Sequence, residues 1–137
     1  MTDKKRVLIM EDNRDLAIDW KQTFELNQCD VEVVHNGDDA QLFLESEHFD
    51  LVITDLFVEG HKGGLHVLSC LVQMGEEAPP SIAVTGSFSY SSTSVEKNLF
   101  LEQASRLGAS VHLAKPFQPI ELVSIAQSLW LEIPAHA

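Results

Sequence analysis

Five short apolar runs punctuate the chain, and between them apolar positions recur at helical spacing. Val7-Leu8-Ile9-Met10 is wholly apolar, as a parallel strand buried on both faces should be. Leu16, Trp20 and Phe24 then follow at i, i+4 and i+8, the stripe of an amphipathic helix that places all three in the core. A second strand, Val31-Glu32-Val33-Val34, ends at the turn signal Asn36-Gly37, after which Asp38 or Asp39 can start a helix carrying Ala40, Phe43 and Leu44. The third strand is Leu51-Val52-Ile53, within the run Asp50 to Asp55. Beyond the glycine-rich stretch Gly60-His61-Lys62-Gly63-Gly64, Leu65, Leu68 and Val72 trace a third helix. Gly75 and Pro79-Pro80 separate it from a fourth strand at 81–84. A serine-rich stretch leads to Thr93-x-x-Glu96, a capping box that opens a helix with Phe100, Ala104 and Leu107 on one face and ends at Gly108. The fifth strand is 110–114, and Pro119 leads a last helix through Leu122, Ile125, Ala126 and Leu129.

Strands alternating one for one with helices predict an α/β fold: a doubly wound, five-stranded parallel sheet with five helices covering both faces. Length points the same way. The 137 residues, 45% of them hydrophobic, suit a single domain over 1–137 with one sizeable core, and neither a repeat nor an interdomain linker interrupts them.

Composition excludes several functions. Nine basic residues against 21 acidic give a net charge of -12, and beyond Lys4-Lys5-Arg6 no basic run is present, so direct binding to nucleic acid or an anionic membrane is not expected. No run approaches the roughly 20 apolar residues of a membrane helix. Nothing before Val7 resembles a secretory leader, and Cys29 and Cys70, far apart in the sequence, form no C-x-x-C or metal-ligand spacing, so a reducing, cytoplasmic location is expected.

The chemistry lies where the strands stop. Glu11-Asp12 closes the first strand, Asp55 the third, Thr85 the fourth, and Lys115-Pro116 the fifth. In open parallel sheets ligands bind beyond the strand C-termini, so these groups share one edge. Carboxylates crowded there repel one another unless a cation or protons compensate them. Each feature has a plain reading by itself. Glu11-Asp12 could be helix-capping acids favoured by the dipole, and Asp55, Thr85 and Lys115-Pro116 ordinary loop or strand-end residues. Their combination carries the inference. A hard, oxygen-ligated cation such as Mg²⁺ suits Glu11, Asp12 and Asp55. Asp55 can attack phosphorus to form an acyl phosphate, while Thr85 and Lys115 can reach phosphoryl oxygens.

On these residues the chain resembles the response-regulator receiver domains of the CheY-like kind, over nearly its whole length. The resemblance implies a flavodoxin-like strand order 2-1-3-4-5. It also implies that Asp55 accepts phosphate from a histidine kinase or phosphotransfer protein, with Mg²⁺ held by Glu11, Asp12, Asp55 and the backbone carbonyl of Phe57. Thr85 and the position three before Lys115, here His112, would form the switch that alters binding of a downstream protein, and a cis bond is expected at Pro116. Four features depart from the family pattern: Val58-Glu59 after Phe57, with a longer loop to Gly64; bulky Phe57 itself, which could shield an acyl phosphate from water; a long segment between Thr85 and Lys115; and His112 in place of an aromatic.

Three other functions compete. A receiver that has lost phosphorylation and acts as a fixed interaction module is one. An aspartyl-nucleophile phosphohydrolase of the haloacid-dehalogenase kind needs a second Asp where Phe57 stands. A flavodoxin-like FMN carrier would set its cofactor phosphate against an acidic edge. The expectation is therefore a signalling domain that catalyses only its own phosphorylation and dephosphorylation. His35, His48, His61, His66 and His136 are expected at the surface without ligand spacing, and Trp20 too far from the pocket to sense a bound ion.

Overall fold

The computed structural model describes residues 4–56, 63–85, 102 and 106–132. Five strands, β1 (Lys5–Met10), β2 (Cys29–Val34), β3 (Leu51–Asp55), β4 (Ser81–Thr85) and β5 (Val111–Ala114), form one parallel sheet in the order β2-β1-β3-β4-β5. This is the expected flavodoxin-like order. Four α-helices stand among the described residues: α1 (Arg14–Leu26), α2 (Gly37–Ser46), α3 (Gly64–Met74) and α4 (Pro119–Glu132). The remaining expected helix, opened by Thr93-x-x-Glu96, lies almost wholly outside them. Its described fragment, Glu102 and Arg106, is helical and joined by an i,i+4 ion pair of 2.7 Å.

The sheet divides the core in two because successive side chains along a strand point to opposite faces. Val7, Ile9, Val31, Leu51, Ile53, Ile82 and Val84 face α1 and α4, where Trp20, Phe24, Leu122, Val123 and Ala126 cover them. Leu8, Met10, Val52 and Ala83 face the other way, beneath Ala40 and Leu44 of α2 and Val67, Leu68 and Leu71 of α3. β1, β3 and β4 are buried on both faces, which is why they read as continuous apolar runs.

Several boundaries differ from the expected ones. β2 begins at Cys29, two residues early, because pairing with Lys5 and Arg6 extends the ladder and takes Cys29 into the core. Asn36-Gly37 is a helix start, not a separate turn. The Asn36 side chain accepts the Asp39 N–H at 2.8 Å, which leaves Asp38 and Asp39 as first-turn acids of α2. Asn13 does the same for α1, accepting the Leu16 N–H at 3.1 Å. On α3 the buried stripe is Val67, Leu68 and Leu71, while Val72 is exposed. α4 is tied to the sheet at its far end by Trp130, whose Nε1–H donates to the Asp50 carbonyl at 2.9 Å.

Candidate functional site at the carboxyl edge of the sheet

Backbone hydrogen bonds just past the strand ends aim the site. The Glu11 N–H donates to the Val34 carbonyl at 3.1 Å, the Leu56 N–H to Val84 at 2.9 Å, and the Lys115 N–H to Thr85 at 2.9 Å. Each carries the parallel ladder one step beyond a strand terminus. Glu11, Asp55, Thr85 and Lys115 are therefore held by the sheet rather than by loops. The Lys115–Pro116 peptide is cis, as expected.

Three carboxylates converge. One oxygen from each of Glu11, Asp12 and Asp55 lies within 4.8 Å of the others. Glu11 is fully buried, Asp55 nearly so, and Asp12 exposed. The Lys115 ammonium spans the two buried acids, donating to Glu11 Oε1 at 2.6 Å and Asp55 Oδ2 at 2.9 Å. Burial, opposed by the Lys115 hydrogen bond and reinforced by neighbouring Asp55, pushes the Glu11 carboxyl up to about 7. For Lys115 burial alone works against the ammonium, but hydrogen bonds and charge from Glu11 and Asp55 outweigh it and hold the amine above its ordinary value. With all groups ionised, one ammonium faces three carboxylates, an excess of negative charge that a divalent cation would neutralise. Hard oxygen donors and a partly open rim fit Mg²⁺, and receiver domains bind Mg²⁺ in such a pocket. Phe57, expected to lend its carbonyl, lies outside the described residues.

Two side chains brace the site in ways the sequence did not signal. His35, expected at the surface, is half-buried, with Nδ1 at 2.8 Å from the Glu11 carbonyl oxygen and Nε2 at 3.3 Å from the Arg14 guanidinium. Arg14 can only donate, so Nε2 accepts and Nδ1 carries the proton given to the Glu11 carbonyl. His35 thereby grips the peptide between the two acids. Trp20, expected to be remote, lies 5.7 Å from Lys115 Nζ at its ring centroid and stacks on Phe117 at 5.5 Å. The Lys115 side chain thus stands between Trp20 and the two buried acids.

Thr85 is buried at the end of β4 and paired in register with Ala114. His112 pairs with Ala83 and is half-buried, with Nε2 enclosed and lacking a hydrogen-bond partner among the described residues. Of the others, His48 is exposed and His66 is half-buried on α3; His61 and His136 lie outside the described residues. Among the described residues, no helix is long and apolar enough to cross a membrane.

Residues 7–127 match the family model described as the response regulator receiver domain. The transcriptional regulatory protein CpxR of Escherichia coli (strain K12) is 30% identical over 132 residues, covering 93% of this chain and 52% of that protein. The chain thus spans about half the length of the curated relatives it matches. Among solved structures, a CheY-like receiver domain protein from Methanospirillum hungatei JF-1 superposes with a TM-score of 0.77 at 25% identity, covering 94% of this chain and 96% of that one. The signal receiver domain of a putative Luxo repressor protein from Vibrio parahaemolyticus gives 0.73 at 28% identity, with 94% and 92% covered. Fold, strand-end chemistry and match over most of the length agree: the chain belongs to the response regulator receiver domains, signalling domains of two-component systems.

Proposed function

We propose that Asp55 is the phosphoacceptor of this receiver and that Glu11, Asp12 and Asp55, with the carbonyl of Phe57, hold the Mg²⁺ on which transfer depends. The observation that carries the reading is the bridge from Lys115 Nζ to both buried carboxylates, Glu11 Oε1 and Asp55 Oδ2. It fixes the nucleophile beside a cation and commits neighbouring Glu11 to the pocket. A carboxylate oxygen of Asp55 attacks phosphorus as the bond to the donor, a phosphohistidine nitrogen or an acyl oxygen, breaks. The donor leaves with the electron pair of that bond. A bound Mg²⁺ supplies charge neutralisation for the phosphoryl oxygens. Lys115 is placed to pair with one of them, and the Thr85 hydroxyl with another once it turns inward.

Catalysis here is confined to the domain's own phosphorylation and dephosphorylation. Receiver domains work with histidine kinases and downstream effectors, and this one would do so as a cytoplasmic switch. His112 of β5, half-buried and paired in register with Ala83 of β4, would serve as the second switch residue. Acetyl phosphate with Mg²⁺ should add one phosphoryl mass to the wild type and none to Asp55→Asn, read by intact-mass spectrometry. Equal labelling of both proteins would move the acceptor elsewhere.

A further inference from the structure

The carboxyl edge of the sheet carries a second cation. Arg14 is the first residue of α1, two residues beyond Asp12, so the two Cα atoms lie within about 7 Å of each other. The Arg14 side chain is exposed, yet it is aimed. Its Nη1–H donates to His35 Nε2 at 3.3 Å, and His35 Nδ1–H in turn donates to the Glu11 carbonyl at 2.8 Å. Among the described residues no carboxylate pairs with Arg14, which leaves its charge and its other guanidinium donors uncommitted. Apart from Lys115, the other described cations lie elsewhere. Lys4, Lys5 and Arg6 stand at the opposite end of β1, Lys21 is two turns further along α1, and Arg106 is paired with Glu102. Helix stability does not account for Arg14, since the first turn of a helix disfavours a cation.

Charge gives the position a role. Three carboxylates, the Lys115 ammonium and a bound divalent cation would balance, so the loaded pocket by itself attracts an anion little at a distance. The whole chain, at -12, repels one. A guanidinium at the rim supplies the missing local attraction, and its planar fork of donors matches phosphoryl oxygens. We propose that Arg14 recruits the dianionic phosphoryl donor to Asp55, an inference that rests on Asp55 being the phosphoacceptor. Arg14 acts before transfer, by raising the local concentration of donor, whereas Lys115 and Thr85 engage the group during transfer. In water, a unit charge and a dianion on the order of 8 Å apart attract enough for about a fivefold gain, which salt screens.

The test uses the full chain with saturating Mg²⁺ at low salt, at a pH well above the Glu11 value of about 7. Arg14→Gln removes the charge but keeps an amide donor for His35. Its labelling rate per unit of acetyl phosphate, read by intact mass, should fall about three- to fivefold, while Arg14→Lys should keep most of the wild-type rate. Raising salt to about 0.5 M, where the screening length is shorter than the separation, should bring wild type and Arg14→Gln together. Mg²⁺ affinity, read by calorimetry at low salt, should move the other way and rise in Arg14→Gln, because the same charge repels a cation. A role confined to propping His35 would weaken Mg²⁺ binding instead. Equal rates, a loss that Arg14→Lys shares, a loss that salt leaves untouched, or weakened Mg²⁺ binding would overturn the proposal. If acetyl phosphate fails to label Asp55 in the wild type, the phosphoacceptor assignment falls and this inference with it. Normal wild-type labelling with an unchanged rate in Arg14→Gln overturns this inference alone.

Discussion

Glu11 shows what the site costs the fold. Buried beside Asp55, its carboxyl titrates near 7 instead of the ordinary 4.5, with burial the leading cause. Between those values the folded protein holds more protons than the unfolded chain. The contribution of Glu11 to stability therefore falls as pH rises through that window and is level above it. In chelator, the stability of Glu11→Gln relative to wild type should rise from pH 4.5 to about 7 and then flatten. Paired denaturant titrations check this, and a pH-independent difference would contradict it. The same proton competes with a cation, so Mg²⁺ affinity should fall as pH drops below about 7. His35 acts at one remove, through the Glu11 carbonyl. His35→Ala should weaken Mg²⁺ binding by up to roughly tenfold with little change in thermal midpoint. His35→Asn, whose amide can replace the Nδ1 donor, should restore most of it, whereas a loss that Asn fails to restore would show a packing role only.

At the scale of elements, two junctions set the geometry. α3 starts at Gly64 so close to β3 that an added Cβ would overlap the Asp55 carbonyl oxygen and lie 2.8 Å from Leu56 Cα, both of them backbone. Neither neighbour can swing away. Gly64→Ala should therefore lower both stability and the rate of Asp55 phosphorylation, because relief requires moving α3 or the end of β3. Unchanged values of both would mean that the junction yields easily. α1 starts at Asn13, whose side chain caps the Leu16 N–H directly after the acidic pair. Asn13→Ala should cost about 1 kcal/mol, read from chemical unfolding. The caps Asn13 and Asn36 are the kind of residue that helix-start rules favour, yet periodicity alone pointed elsewhere, to Asp38 or Asp39 for α2. Propensity admits any of these residues. The choice is made by where each strand lets go of the sheet.

For the molecule as a whole, the pocket lies against a fluorophore, Trp20. Trp20 contacts both Phe117 and, through its ring face, the Lys115 ammonium. A cation that draws Lys115 away from Glu11 and Asp55 should change Trp20 emission, and the change should vanish in Asp12→Ala. Unaltered emission while calorimetry records Mg²⁺ binding would mean that Lys115 stays in place. Beryllium fluoride, a phosphoryl mimic, should alter amide exchange beyond the pocket, at 106–114, if Thr85 and His112 move together. Protection confined to residues near Asp55 would leave His112 outside the switch.

Periodicity, turn residues and strand-end polarity determined the element order, the parallel sheet, its two-faced burial and the acidic edge. Those properties are local or follow from the repeat of the chain, so a linear reading reaches them. Even the pocket residues were legible, because a parallel sheet sends every strand's C-terminus to one edge. Tertiary structure alone decided the rest. His35 meets the Glu11 carbonyl because β2 lies beside β1, and Trp20 approaches Lys115 because α1 and α4 share a sheet face. Contacts between residues distant in sequence depend on register and packing, which no repeat along the chain encodes.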